Sequence, residues 1–211
     1  MLSIEEISAC GIIPVVVLND AEDAVPTARA LLAGGIDVME ITFRTAAAQA
    51  SIAWVAAEVP EMKVGAGTVV TVEQARDAVA AGAKFLVSPG SDLDIIREAA
   101  ALDVPIVPGV LTPCEIMIGL KFGVKLFKFF PAESYGGLKT IKALCGPFPQ
   151  IKFIPTGGIN QENAVEYFKN PKIQAVGGSW MVSAKMIEAG EFDAIKEKSA
   201  AATALYKEIR G

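Results

Sequence analysis

The feature that most constrains this chain is a period. Short apolar runs begin at residues 12, 38, 63, 84, 105, 125, 152 and 173, so a new run starts every 20 to 27 residues. They read "IIPVVVL", "VMEITF", "KVGAGTVV", "KFLVSPG", "PIVPGVL", "KLFKFFP", "KFIPTGG" and "IQAVGGSW". Between them lie Ala-rich amphipathic stretches such as "DAEDAVPTARALLAGG", "TVEQARDAVAAGA" and "SDLDIIREAAAL", opening on Asp, Ser or Thr and several closing on Gly. Such side chains accept bonds from the free amides of a helix's first turn, and glycine takes the conformation that ends a helix. Strand followed by helix, repeated, makes neighbouring strands parallel and buries both sheet faces, which explains why the runs are nearly continuous in apolar residues. Eight such units in 211 residues, with no Ser/Gly-rich or charged linker, predict one domain over residues 1–211. The expected fold class is α/β, closed into a (β/α)8 barrel with a short N-terminal helix. An open doubly wound sheet is the alternative, but "GAGTVV" lacks the third glycine and the following acid of a dinucleotide site.

Several function classes are excluded before any site is chosen. The chain has no histidine, which removes the usual zinc constellations and the His-dependent triads and dyads. A net charge of −5, with no basic cluster interleaved with aromatics, argues against nucleic acid as a partner. Three cysteines, Cys10, Cys114 and Cys145, are far apart and odd in number, as expected of reduced thiols that serve as packing residues. The first residues, "MLSIEEISACGIIPVVVLND", carry acids where a signal peptide carries bases, and Pro14 interrupts their apolar run. A cytoplasmic protein without membrane contact is expected. Its apolar content of 52% suggests surface covered by other subunits.

In a barrel, reacting groups sit at the C-terminal ends of the strands. The second run ends "MEITFR", where Glu40, Thr42 and Arg44 alternate and so face one side. A salt bridge within the sheet is one reading of Glu40 and Arg44; a guanidinium holding a substrate carboxylate at the barrel mouth is the other, and its position favours the second. The third run ends "GAGT", with the Thr68 hydroxyl at its tip. The glycines admit either a ligand or a close-packed neighbour. "SPG" and "VPGV" read first as turns, with Pro89 placed to line the mouth.

The sixth run holds the most informative residue. Lys128 lies in "KLFKFF" with Leu126 and Phe130 on its own face, whereas Lys125 begins the run and points to the other side. A buried ammonium is costly unless the protein lowers its pKa or supplies an opposite charge from another strand, and Glu40 is the natural candidate. A desolvated amine is a nucleophile towards ketones, forming an iminium that accepts electrons as a carbon–carbon bond breaks. Glu40 would then move the protons. A purely structural Lys128–Glu40 pair would leave Arg44 and Thr68 unexplained.

"PTGGI" and "VGGSW" end the last two runs, where barrel enzymes commonly hold a phosphate on backbone amides. Gly157, Gly158, Gly177 and Gly178, with the Thr156 and Ser179 hydroxyls, are the candidates.

Taken in order, "EITFRT", "GAGTV", "SPG", "FKFFPAE", "PTGGI" and "GGSW" resemble the bacterial 2-keto-3-deoxy-6-phosphogluconate aldolases, members of which also act on 4-hydroxy-2-oxoglutarate. The resemblance spans nearly the whole chain. It implies a metal-independent and cofactor-free class I aldolase of the Entner-Doudoroff pathway, assembled as a homotrimer and acting on a phosphorylated keto acid. Carried over by motif, Lys128 is the Schiff-base lysine and Glu40 the general acid and base. Arg44 and Thr68 would hold the pyruvate carboxylate, and Pro89 and Phe130 would line the pocket. Gly157, Gly158, Gly178 and Ser179 would bind the 6-phosphate, with Thr156 discriminating at C4. The resemblance does not account for Lys125. The alternatives are an aldolase for the galacto epimer, a phosphosugar isomerase or epimerase, and a non-catalytic phosphosugar-binding barrel.

Overall fold

The computed structural model describes residues 3–211. A short helix, α1 (Ile4–Ile7), precedes β1 (Ile12–Val16), as expected. The chain then alternates α2 (Ala24–Ala33), β2 (Val38–Thr42), α3 (Ala48–Glu58), β3 (Lys63–Gly67), α4 (Val72–Ala80), β4 (Leu86–Val87) and α5 (Leu93–Ala101). The second half runs β5 (Ile106–Val107), β6 (Gly109–Val110), α6 (Pro113–Leu120), β7 (Leu126–Phe129), α7 (Gly137–Cys145), β8 (Lys152–Pro155) and α8 (Gln161–Phe168). It closes with β9 (Val176–Gly178), α9 (Ala184–Glu188) and the long α10 (Phe192–Arg210).

The helix starts follow the capping chemistry. Thr71 accepts a hydrogen bond from the Gln74 amide, and Asp92 accepts from Asp94 and Ile95. Each satisfies donors that a first turn leaves free. The core is aromatic on one side, where Phe127, Phe129 and Phe153 are fully buried on neighbouring strands and Phe129 meets Phe153 edge to face. Burying a side chain of that size contributes roughly 1.5–3 kcal/mol. Helix α10 packs on α2 through Gly34, whose carbonyl accepts from Thr203 at 3.1 Å.

The expectation of a closed eight-stranded barrel is corrected. All strand pairs are parallel, but they form an open six-stranded sheet, ordered β5-β4-β3-β2-β1-β9, and a separate three-stranded sheet, β6-β7-β8. The fifth apolar run is the cause on one side. It breaks into β5 and β6 at Pro108, which has no amide to continue a ladder, and Pro105 removes a second donor just before β5. On the other side, β8 meets the β9 segment only at isolated bridges, Phe153 with Ile173 and Thr156 with Gly177. The α/β alternation and parallel direction expected from the sequence are present; the continuous closed ladder is not. Because all strands run the same way, their C-terminal ends still share one side of the molecule.

Candidate active site

Lys128 and Glu40 meet across the two sheets. Glu40 is on β2, paired in register with Val15 and Gly65; Lys128 is on β7, paired with Gly109 and Ile154. The Lys128 Nζ lies 3.1 Å from Glu40 Oε1, and each residue is only 3% exposed. The Phe130 ring centroid is 5.3 Å from the ammonium, within cation–π range. Taking two charges out of water costs several kcal/mol per ion before their attraction is counted, so stability alone is a poor reason for this pair. Lys125, in contrast, is exposed, in line with its opposite-facing position.

A glycine makes room for the carboxylate. A Cβ on Gly67 would stand 2.0 Å from Glu40 Oε1, and one on Gly65 would enter the Phe85 ring at 2.4 Å. The "GAG" of the third run is therefore packing: one glycine admits Phe85 and the other admits Glu40. Sequence inspection placed a ligand or a neighbour there without identifying which, and it missed Gly67 as a determinant of the site.

Arg44 lies in the turn beyond β2, outside the strand in which alternation had placed it, and is exposed. Its Nε still donates to Thr68 Oγ1 at 3.2 Å. Thr68 has φ +56°, a conformation that a β-branched residue adopts only at a cost of roughly 1–3 kcal/mol, and such strain gathers at functional sites. Between Glu40 and Arg44, the Thr42 hydroxyl is turned away, donating to Val16 O at 3.2 Å. Pro89 is half-buried after β4 and lines a hollow of about 330 Å3 together with Val69, Ser88 and Glu115.

The two segments that carry the glycine pairs are neighbours. Thr156 forms a bridge with Gly177, and a Cβ on Gly177 would strike the Thr156 Oγ1 at 2.2 Å. Gly157 and Gly158 have φ of +96° and +78°, which a side chain would strain. Thr156 is buried and Ser179, just past β9, is exposed. The loop after β8 is held from both sides. Asn163 Nδ2 donates to Gly158 O at 2.9 Å, and the Ala132 and Glu133 amides donate to Thr156 O and Gly157 O at 2.8 and 3.1 Å. The Tyr167 hydroxyl donates a short bond to Glu133 Oε1. Burial, and then that bond to a carboxylate, raise the Tyr167 pKa. Sequence inspection missed Glu133, Tyr167 and Asn163 as supports. The Asn160–Asn163 spacing at the start of α8 was the available signal. Among the described residues no group of three or more His, Cys, Asp or Glu side chains could hold a metal ion, and no helix is long and apolar enough to cross a membrane.

A family model described as KDPG and KHG aldolase matches residues 4–198. The chain belongs to the KDPG and KHG aldolase family. Within that family it is 48% identical over 191 residues to the 2-dehydro-3-deoxy-phosphogluconate aldolase of Treponema pallidum (strain Nichols), covering 90% of this chain and 91% of the relative. It is 45% identical over 194 residues to the KHG/KDPG aldolase of Escherichia coli (strain K12), covering 92% and 91%. Among solved structures, the KDPG aldolase of Legionella pneumophila superposes with a TM-score of 0.91 at 43% identity, covering 94% of this chain and 97% of that one. That crystal structure holds pyruvate captured at low pH as a covalent carbinolamine intermediate. A carbinolamine is the adduct of an amine with a ketone, the step before an iminium.

Proposed function

We propose that this aldolase cleaves 2-dehydro-3-deoxy-6-phosphogluconate to pyruvate and glyceraldehyde 3-phosphate, and 4-hydroxy-2-oxoglutarate to pyruvate and glyoxylate. Residues 1–211 act as one domain, in the cytoplasm and as a homotrimer. The Lys128 amine, freed of its proton by the neighbouring Glu40, attacks the C2 ketone; the protonated Glu40 then gives that proton to the departing C2 hydroxyl, so that loss of water forms the iminium and restores the carboxylate. Glu40, directly or through water, removes the C4 hydroxyl proton. The C3–C4 electron pair then moves to the iminium, the aldehyde leaves, and an enamine remains on Lys128. Glu40 returns a proton to C3, and water releases pyruvate. One carboxylate serves as base and then acid, which suits a site with a single buried acid beside the amine.

Arg44 and Thr68 hold the substrate carboxylate, and the Arg44–Thr68 contact with its strained threonine supports that assignment. Pro89 and Phe130 line the reacting pocket. Thr156 contacts the C4 region, and the amides of Gly157, Gly158 and Gly178 with the Ser179 hydroxyl hold the phosphate. No metal or cofactor enters the sequence of steps.

The observation that carries the reading is the buried Lys128–Glu40 pair. Incubation with pyruvate and borohydride is expected to add one reduced pyruvate to each chain, located by peptide mass mapping to the segment containing Lys128. An adduct on another lysine, or none, would remove the proposed nucleophile.

A further inference from the structure

At the end of the molecule where the strands begin, opposite the loops that carry Arg44 and the paired glycines, a cavity of about 650 Å3 opens between Ile106 of β5 and Leu126 of β7. Its size falls within the ~300–1,000 Å3 typical of small-molecule sites. It arises where the strand ladder is interrupted, since β5 ends the six-stranded sheet and β7 belongs to the other. Ile96 and Ala100 from α5 and Phe122 from the loop before β7 give it an apolar wall.

Its charged groups are Lys125, Lys152 and Asp103. Lys125 immediately precedes β7 and Lys152 begins the neighbouring β8, with the Lys152 amide donating to Lys125 O at 2.9 Å. Like charges on neighbouring strands repel, and this chain carries net charge −5, so acids to separate them were plentiful. Neither is neutralised. Lys152 Nζ donates only to the neutral Gln174 Oε1, at 2.7 Å, and among the described residues Lys125, Lys152 and Asp103 form no ion pair. The carboxamides of Gln150 and Gln174 add donors at the same rim.

We propose that this cavity binds a small organic anion, with its apolar body against Ile96, Ala100 and Phe122 and its carboxylate or phosphate group between Lys125 and Lys152. The site is separate from the proposed catalytic end and stands independently of the aldolase mechanism. It also gives Lys125 a role.

Calorimetric titration with phenyl phosphate and with benzoate tests this and separates the two anion types, with benzyl alcohol as the neutral comparison. With the proposed phosphate site blocked by Ser179→Asp, at least one anion is expected to bind saturably at one site per chain and more tightly than the alcohol. Binding should weaken about tenfold or more in the Lys125→Glu/Lys152→Glu variant, and less in Lys125→Gln/Lys152→Gln. It should be lost in Ala100→Phe, a change at an exposed position of α5 that fills the cavity without touching its charges. Ser179→Asp, which blocks the proposed phosphate site at the other end of the molecule, should leave this one site in place. If charge reversal prevents folding, as circular dichroism melting would reveal, Ala100→Phe decides alone. No saturable binding of either anion, equal binding of the alcohol, or loss of binding in Ser179→Asp with retention in Ala100→Phe would overturn the proposal.

Discussion

At the scale of single residues, the site depends on what is missing as much as on what is present. Gly67 has no side chain, and the Glu40 carboxylate occupies the space that a Cβ there would fill. Gly67→Ala is expected to push that carboxylate away from Lys128 and lower kcat by about 10²-fold, the usual effect of an ångström of misplacement. Steady-state pyruvate release measures it, and an unchanged kcat would show that the carboxylate position does not matter. The ion pair itself supports a second prediction. Lys128→Met is expected to abolish cleavage and to leave Glu40 buried without its counter-charge, a change that typically costs about 3–5 kcal/mol. Lys128→Met/Glu40→Gln should recover much of that stability, because the stranded charge has gone too. Urea unfolding of the two variants tests this, and a double variant no more stable than the single one would contradict it. Lys128 could be singled out in the sequence because an ammonium stood in an otherwise apolar run. Gly67 could not, since a glycine at a strand end has many uses and only the approach of Glu40 distinguishes this one.

At the scale of elements, the loop after β8 is positioned by its neighbours. Its carbonyls accept from the segment after β7 and from Asn163 of α8, and Glu133 is tied to α8 by Tyr167. Burial and the Glu133 carboxylate favour the neutral phenol, so the folded Tyr167 holds its proton at a pH where the unfolded chain, with an ordinary phenol near ~10, gives it up. The sign follows from proton linkage. The contribution is fully present below ~10 and is lost as pH rises through the folded pKa. Tyr167→Phe should therefore flatten the fall in urea midpoint between about pH 9 and 11 while slightly lowering stability at pH 8. An equally steep alkaline fall in the variant would refute it. The helix starts at Thr71 and Asp92 were readable because a cap is a local arrangement of side chain and backbone. The Glu133–Tyr167 bond joins residues 34 apart in sequence, and no local pattern marks it.

At the scale of the whole molecule, exposed Val70, Leu93 and Met117 lie after β3, at the start of α5 and on α6, three successive turns of the βα repeat. Apolar side chains left 42–54% exposed on one stretch of chain are suited to contact between copies. Sedimentation is expected to give three times the chain mass of 22.1 kDa, with Met117→Glu shifting the protein towards smaller species. A monomer at micromolar concentration would remove the trimer from the proposal. The repeat of apolar runs determined by itself that the fold is α/β with parallel strands, because that period leaves no other economical way to bury both faces of each strand. It likewise marked Lys128 as a charge within an apolar run, Glu40 as its candidate partner, and the paired glycines by their positions at the ends of runs. Closure was decided elsewhere. Whether eight runs join into one ladder depends on amide donors meeting acceptors at each junction, and Pro105, Pro108 and the isolated bridges beside β9 leave two sheets where a barrel was expected. The tertiary structure alone brought Glu40 and Lys128, 88 residues apart, to 3.1 Å, since a contact between two sheets depends on how they pack and not on any spacing within a strand.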